Sequence, residues 1–220
     1  MEINGISEDL LHAKLLRDYR IGASPVKSEY WKGRNRSQFA LLSQSFGLKE
    51  ISMTVVFDGQ DAKEVALRKS EFDAALWGKF EIYMPNEFTY SAILDDAGEL
   101  EYMGNERGKA QYKLVGIQHK PLVTVSAGTF TCGSTVPLTD CIITATATAA
   151  SGSIGDVDFA GVTIGDIITI DGIDKRLLVN GVDAATKFTW IDFPSLPRGV
   201  NNPTVSGVSG VTHQYFPTFL

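Results

Sequence analysis

The stretch Lys49-Glu50-Ile51-Ser52-Met53-Thr54-Val55-Val56-Phe57-Asp58-Gly59 decides the fold of the first half of the chain. Ile51, Met53, Val55 and Phe57 recur at every second position, the period of a strand with one buried face, and Asp58-Gly59 is a turn signal that closes it. From Asp61 to Trp77 the period changes. Ala62, Val65, Phe72 and Leu76 share one helical face, Lys63, Glu64, Arg68 and Lys69 lie mostly outside it, and Gly78 is placed to stop the helix. The sequence thus predicts one helix over about 61–77, following a strand and covering a sheet.

Further along, 79–84, 88–94 and 111–119 read as strands, with Asp95-Asp96-Ala97-Gly98 as a tight turn. On the other side, the segment 23–44 has no clean period, mixing Lys27, Lys32, Arg34 and Arg36 with Tyr30, Trp31 and Phe39. It reads as an exposed extended arm or long loop. Aromatic residues and Arg are enriched where proteins meet, so Tyr30, Trp31, Arg34, Arg36 and Phe39 are the candidate contacts for another subunit. A solvated loop with its aromatics tucked home is the alternative.

Charge divides the chain near Lys120-Pro121. Residues 1–120 hold 16 Lys and Arg against 18 acids, a net of −2, whereas residues 121–220 hold four against eight, a net of −4. All eight of those acids are Asp, and the second part contains no Glu. It is rich in Thr, Val, Ile, Gly and Ser, and whereas the missing Glu is a helix former, Thr, Val and Ile suit a pleated, half-buried surface. Cys141 to Thr148 alternates Thr with small apolar residues. The strands Ile164–Ile170 and Lys175–Val179 flank Asp171-Gly172-Ile173-Asp174, a hairpin signature, and Asn180-Gly181 marks another turn. Many short strands without a helical period indicate a sandwich or barrel. Two domains are expected, 1–121 and 122–220, in a mainly β chain with one α-helix.

The 220 residues, 44% hydrophobic and 21% charged, describe an ordinary folded chain. A net charge of −6 opposes general affinity for nucleic-acid backbones. The apolar run Ile142–Ala150 is far short of the roughly 20 residues that cross a bilayer, and the start Met1-Glu2-Ile3-Asn4-Gly5 has neither the basic nor the apolar region of a secretion signal. Synthesis and folding in a cytoplasm are expected.

The sequence offers little chemistry. The three histidines, His12, His119 and His213, are widely separated, and none lies in a metal-binding or nucleophile motif. Gly78-Lys79 and Gly108-Lys109 lack the spacing of a phosphate loop, and the Asp pairs at 156/158 and 171/174 fit turn chemistry better than a calcium loop. Cys132 and Cys141, nine residues apart, match no zinc or redox motif; two small buried residues or a disulfide both remain open. No catalytic residue, metal site or cofactor is expected.

The order of elements resembles a known family. Ile3-Asn4-Gly5-Ile6-Ser7, Lys32-Gly33-Arg34-Asn35, the strand ending Val55-Val56-Phe57-Asp58-Gly59 before a helix, and the hairpin Asp95 to Arg107 resemble the N-terminal domain of the distal tail protein (Dit) family of siphophages and prophage tails. Ile164-Gly165-Asp166-Ile167-Ile168-Thr169-Ile170-Asp171-Gly172, Asn180-Gly181, Trp190 to Asn201 and the closing Tyr215-Phe216-Pro217 resemble its C-terminal domain. Residues 122–160 are the least distinctive part of the match.

The resemblance implies an N-terminal β-sandwich or split-barrel-like domain with a protruding arm and a C-terminal galectin-like β-sandwich. It implies a homohexameric ring at the virion tail tip, assembled in the host bacterial cytoplasm, that joins the tail tube to the host-adsorption device. Its partners would be further copies of itself, the tail tube protein, the tape-measure protein, the tail-associated lysin or tail tip protein, and a receptor-binding protein. The competing reading is a carbohydrate-binding module of a tail or cell-surface protein, although no aromatic cluster in the second part clearly suits stacking on sugar rings. A wall hydrolase would need a catalytic base that the sequence does not offer.

Overall fold

A computed structural model describes residues 1–32, 39–126 and 128–220, the side chain of Phe39 excepted. The chain is mainly β with one α-helix and divides into two compact units, Met1–His119 (with Leu220) and Lys120–Phe219.

The first unit is built on an antiparallel sheet. Its strands run in the order Ile6–Ser7, Glu2–Ile3, Lys79–Tyr83, Thr89–Ala97, Arg107–His119, Lys49–Asp58 and Ala13–Leu15. The alternation at Ile51, Met53, Val55 and Phe57 turns these side chains to one face, where they bury with Phe80, Ile82, Tyr90, Tyr112 and Leu114. The helix, Ala62–Ala75, covers that face with Val65 and Phe72, and Leu76 at its C-cap joins them. Phe72 meets Phe57 and Tyr112 edge-on, with ring centroids 5.6 Å and 5.1 Å away.

Asp61 caps the helix by accepting the Glu64 N–H at 2.8 Å, and the Glu64 carboxylate reaches back to the Gln60 N–H at 2.8 Å. Gly78, at φ +75°, takes the left-handed conformation that turns the chain away beyond Leu76. The solvent face of the helix is not wholly polar, since Leu67 is exposed on it, and Trp77 just past the C-cap is exposed as well.

One expected turn is displaced. Asp95 and Asp96 lie within the Thr89–Ala97 strand, and the chain turns after Ala97. Asp96 pairs with Lys113, while Leu94 pairs with Leu114, so Asp95 is the extra residue of a β-bulge. Backbone pairing with Arg107–His119 carries these acids in a strand despite their turn propensity, and Asp96 stands opposite the complementary charge of Lys113. Gly98 follows, with its N–H bonded to the Gln111 carbonyl at 2.7 Å.

In the second unit, one sheet runs Val123–Ser126, Val208–Tyr215, Leu138–Ala147, Ile167–Asp171, Arg176–Val179 and Val182–Asp183. A second runs Phe188–Trp190, Val157–Ala160, Ser151–Ile154 and Val205–Ser206. Both supply one core: Ile143, Ala145, Ile168, Ile170 and Val211 from the first, Ile154, Val157, Phe159 and Phe188 from the second. The expected hairpin and the turn after it are both present. Asp171 pairs with Arg176 across the first turn, and its Oδ1 accepts the N–H groups of Ile173 and Asp174 at 3.1 Å and 2.9 Å. At Asn180-Gly181, φ of +51° and +78° between the paired Val179 and Val182 give a two-residue turn of type I′ sign. The strand expected from Ile164 starts at Ile167, because Gly165 at φ +95° still belongs to the preceding turn.

Candidate assembly surface

The segment expected to be an arm is a two-stranded antiparallel hairpin, Val26–Lys32 against Phe39–Phe46. The strands are regular despite their aperiodic sequence because they have no buried face to pattern: Val26–Lys32 and Ala40–Ser45 are exposed throughout. Tyr30 pairs with Leu41, Trp31 with Ala40 and Glu29 with Ser43, leaving Leu42 as a bulge. Since cross-strand partners share a face, Val26, Tyr30, Leu41 and half-buried Phe46 line one side.

At the hairpin's base, the Gly47 N–H donates to the Pro25 carbonyl at 2.7 Å. A Cβ on Gly47 would stand 2.7 Å from the Pro25 ring, so only glycine fits this approach. Ser43 Oγ donates to Glu29 at 3.1 Å and Gln44 to Ser28 Oγ at 3.2 Å. Beyond these exposed bonds and the backbone ladder, nothing among the described residues covers the hairpin, and no third strand pairs with either of its edges.

Of the candidate contacts, Tyr30 and Trp31 are 62% and 59% exposed. Arg34 and Arg36 lie outside the described residues, as does the side chain of Phe39. Composition had not singled out Val26, Leu41 and Leu42, which are exposed on the same hairpin. Their signal was the lack of any periodicity to hide them.

The histidines take three different environments. His12 is exposed. His119 lies between neighbouring strands with its Nε2 2.8 Å from Glu81 and 3.2 Å from Ser91 Oγ, while Ser91 also donates to Glu81. This triangle of Ser, His and Glu lacks the wiring of a nucleophile relay. There one imidazole nitrogen faces the hydroxyl and the other faces the acid, whereas here a single nitrogen faces both and the serine proton is committed to the carboxylate. Burial pushes the Glu81 carboxyl up, but hydrogen bonds from His119 and Ser91 outweigh it and hold the group below its usual range. His213 is buried in the second unit with neither ring nitrogen hydrogen-bonded.

Cys132 and Cys141 are buried free thiols, and burial, helped by Asp140, pushes Cys141 up to about 12. Among the described residues no three His, Cys, Asp or Glu side chains converge as a metal-holding group, and no helix is long and apolar enough to cross a membrane.

No family model and no curated protein matches the chain. Solved structures do. The chain is similar to the SPP1 Dit protein, described as a paradigm of the hub adsorption apparatus in phages infecting Gram-positive hosts, with a TM-score of 0.68 and 13% identity over 100% of this chain and 98% of that one. It is also similar to the phage P2 baseplate in its activated conformation. The calcium form gives a TM-score of 0.55 at 8% identity and the strontium form 0.52 at 9%, each over 93% of this chain and 90% of the other. At these identities the likeness is one of fold, and the chain has the Dit-like fold of phage baseplate hub proteins.

Proposed function

We propose that the chain is a structural hub of a long, non-contractile phage tail, in which six copies close a ring at the virion tail tip. The observation that carries this reading is the exposed hairpin. A two-stranded ribbon is marginal in water on its own, and one that shows Val26, Tyr30, Trp31, Leu41 and Leu42 to solvent is better explained by a neighbouring copy that covers it. An arm reaching to the next subunit makes a heterologous contact, the kind that generates rings when the rotation closes.

On this reading, residues 1–121 form the ring and the galectin-like residues 122–220 face outward. The tail tube and tape-measure proteins lie on one side, and the tail-associated lysin or tip protein and a receptor-binding protein on the other. Its work is mechanical, and no residue is assigned a catalytic role. Electron microscopy of assembled tails together with sedimentation of the purified protein tests the proposal. A six-fold ring is the expected result, and tails whose tip shows no such ring would refute it.

A second reading, a carbohydrate-binding module, is favoured by one feature. Trp190 and Phe193 lie 5.9 Å apart, and Phe193 lines a cavity of about 410 Å³ with Asp156 and Asp192, a set able to stack on a sugar ring and accept from its hydroxyls. A glycan array probed with the whole chain separates the two readings, because silence across wall saccharides leaves the second unit as architecture.

A further inference from the structure

His213 stands in the strand Val208–Tyr215 with Val125 opposite it on one side and Ile143 on the other. Its side chain is 0% exposed, and neither Nδ1 nor Nε2 has a hydrogen-bond partner. The Phe130 ring lies 5.2 Å away, tilted by 43°. A neutral imidazole tolerates this site with one donor and one acceptor unmet. An imidazolium would be a buried charge with nothing to compensate it.

The surroundings supply no counter-charge in bonding contact. The cavity that His213 shares with Cys141 and Phe193 has two charged groups on its wall, Asp156 and Asp192, and no Lys or Arg. Neither carboxylate bonds the imidazole, and Asp192 accepts the Phe193 N–H at 2.8 Å instead. On the flanking strands the paired residues, Val125 and Ile143, are apolar, and the Tyr215 hydroxyl on its own strand donates to the Thr131 carbonyl at 3.4 Å. The Cys141 thiol stays neutral throughout the acid range.

We propose that His213 is an acid-sensitive latch for the unit Lys120–Phe219, which holds its sheet closed while the imidazole is neutral and lets it open when the ring must take a proton. Burial lowers the proton affinity of His213 in the closed state. The open state therefore binds more protons below about pH 6.5, the ordinary value for histidine, and closure weakens as the pH falls. Above that pH the latch contributes no pH dependence. One proton permits at most about a tenfold rise in the open population per pH unit. Carboxylates, whose ordinary values lie at about 4.3 and below, leave the interval from about 6.5 to 5 to histidine. There His12 is exposed and His119 has its Nε2 2.8 Å from the Glu81 carboxylate in the other unit, so neither is a buried imidazole without a partner as His213 is.

The two cysteines of the chain, both buried in this unit, report its opening. The full-length protein is treated with 4,4′-dithiodipyridine, which labels thiols in mild acid, and rates are divided by those of free cysteine at each pH. The corrected rate should climb by up to about tenfold per pH unit between 6.5 and 5, and His213→Phe, which keeps a ring beside Phe130, should be flat. A flat wild type, or the same climb in His213→Phe, overturns the proposal. Should that variant not fold, the imidazole proton resonances of the native wild type decide. His213 must stay neutral in the native protein as the pH falls from about 6.5 to 5, and native-state titration of His213 near pH 6.5 refutes the latch.

Discussion

Replacing Tyr30 and Leu41 together by threonine removes the apolar cross-strand pair of the hairpin but keeps residues that suit a strand. Both side chains are more than half exposed, 62% and 54%, so the monomer draws little stability from them and should melt within about 0.5 kcal/mol of wild type. The cost falls on association. Complete burial of such a side chain is worth ~1.5–3 kcal/mol, and roughly half of that remains to be gained when a neighbour covers it. The pair then contributes ~1.5–3 kcal/mol to each contact between copies, a weakening of about 10- to 150-fold per contact on substitution. A closed ring uses that contact at every subunit, so the loss recurs around it.

Sedimentation velocity across a concentration series, with circular dichroism melts on the same samples, measures both effects. The expected outcome is a dissociation constant raised by that factor at an unchanged melting temperature. Association at wild-type strength would refute the reasoning. So would a melting temperature that falls in step with association, because the pair would then support the fold of its own subunit.

Phe72→Ala should cost the first unit about 3–5 kcal/mol in urea unfolding, since it empties the site where the helix meets Phe57 and Tyr112. Asp171→Ala removes the acceptor for Ile173 N–H, Asp174 N–H and Arg176, and should lower the stability of the second unit by ~2–4 kcal/mol while leaving the first transition unmoved. Gly98→Ala would place a Cβ 2.5 Å from the Gln111 carbonyl oxygen, a backbone clash that should destabilise the first unit by ~1–3 kcal/mol in the same assay. Because the folded Glu81 carboxyl is held low, its contribution is complete above its ordinary value of about 4.3 and is lost as the pH falls through the folded value. Glu81→Gln should therefore flatten the acid limb of the first unit's stability curve, and a limb that keeps its slope would show that the charge on Glu81 is not what matters.

Local physics accounts for what was legible in the sequence. A period of two at Ile51, Met53, Val55 and Phe57, a period of 3.6 from Ala62 to Leu76, a glycine beyond the helix end and Asn180-Gly181 in a hairpin each state a preference that neighbouring residues express alone. The strand and helix assignments around them need no distant partner to be correct. The Glu-free second part likewise announced strands, because its residues favour a pleated surface wherever they pair.

Features that depend on pairing were decided by the tertiary structure. Asp95 and Asp96 read as a turn until Lys113 was placed opposite Asp96. The strands Val26–Lys32 and Phe39–Phe46 showed no period because periodicity records a buried face, and among the described residues this ribbon has none. Ser91, Glu81 and His119 are brought together by sheet register, 10 to 38 residues apart in sequence, and only their geometry shows that the serine is not a nucleophile. His213 is ordinary in sequence. It becomes a buried, unpartnered base only because two flanking strands and the Phe130 ring close over it. Nearest-neighbour preferences are written along the chain, whereas burial and partnership belong to residues that the fold brings together from far apart.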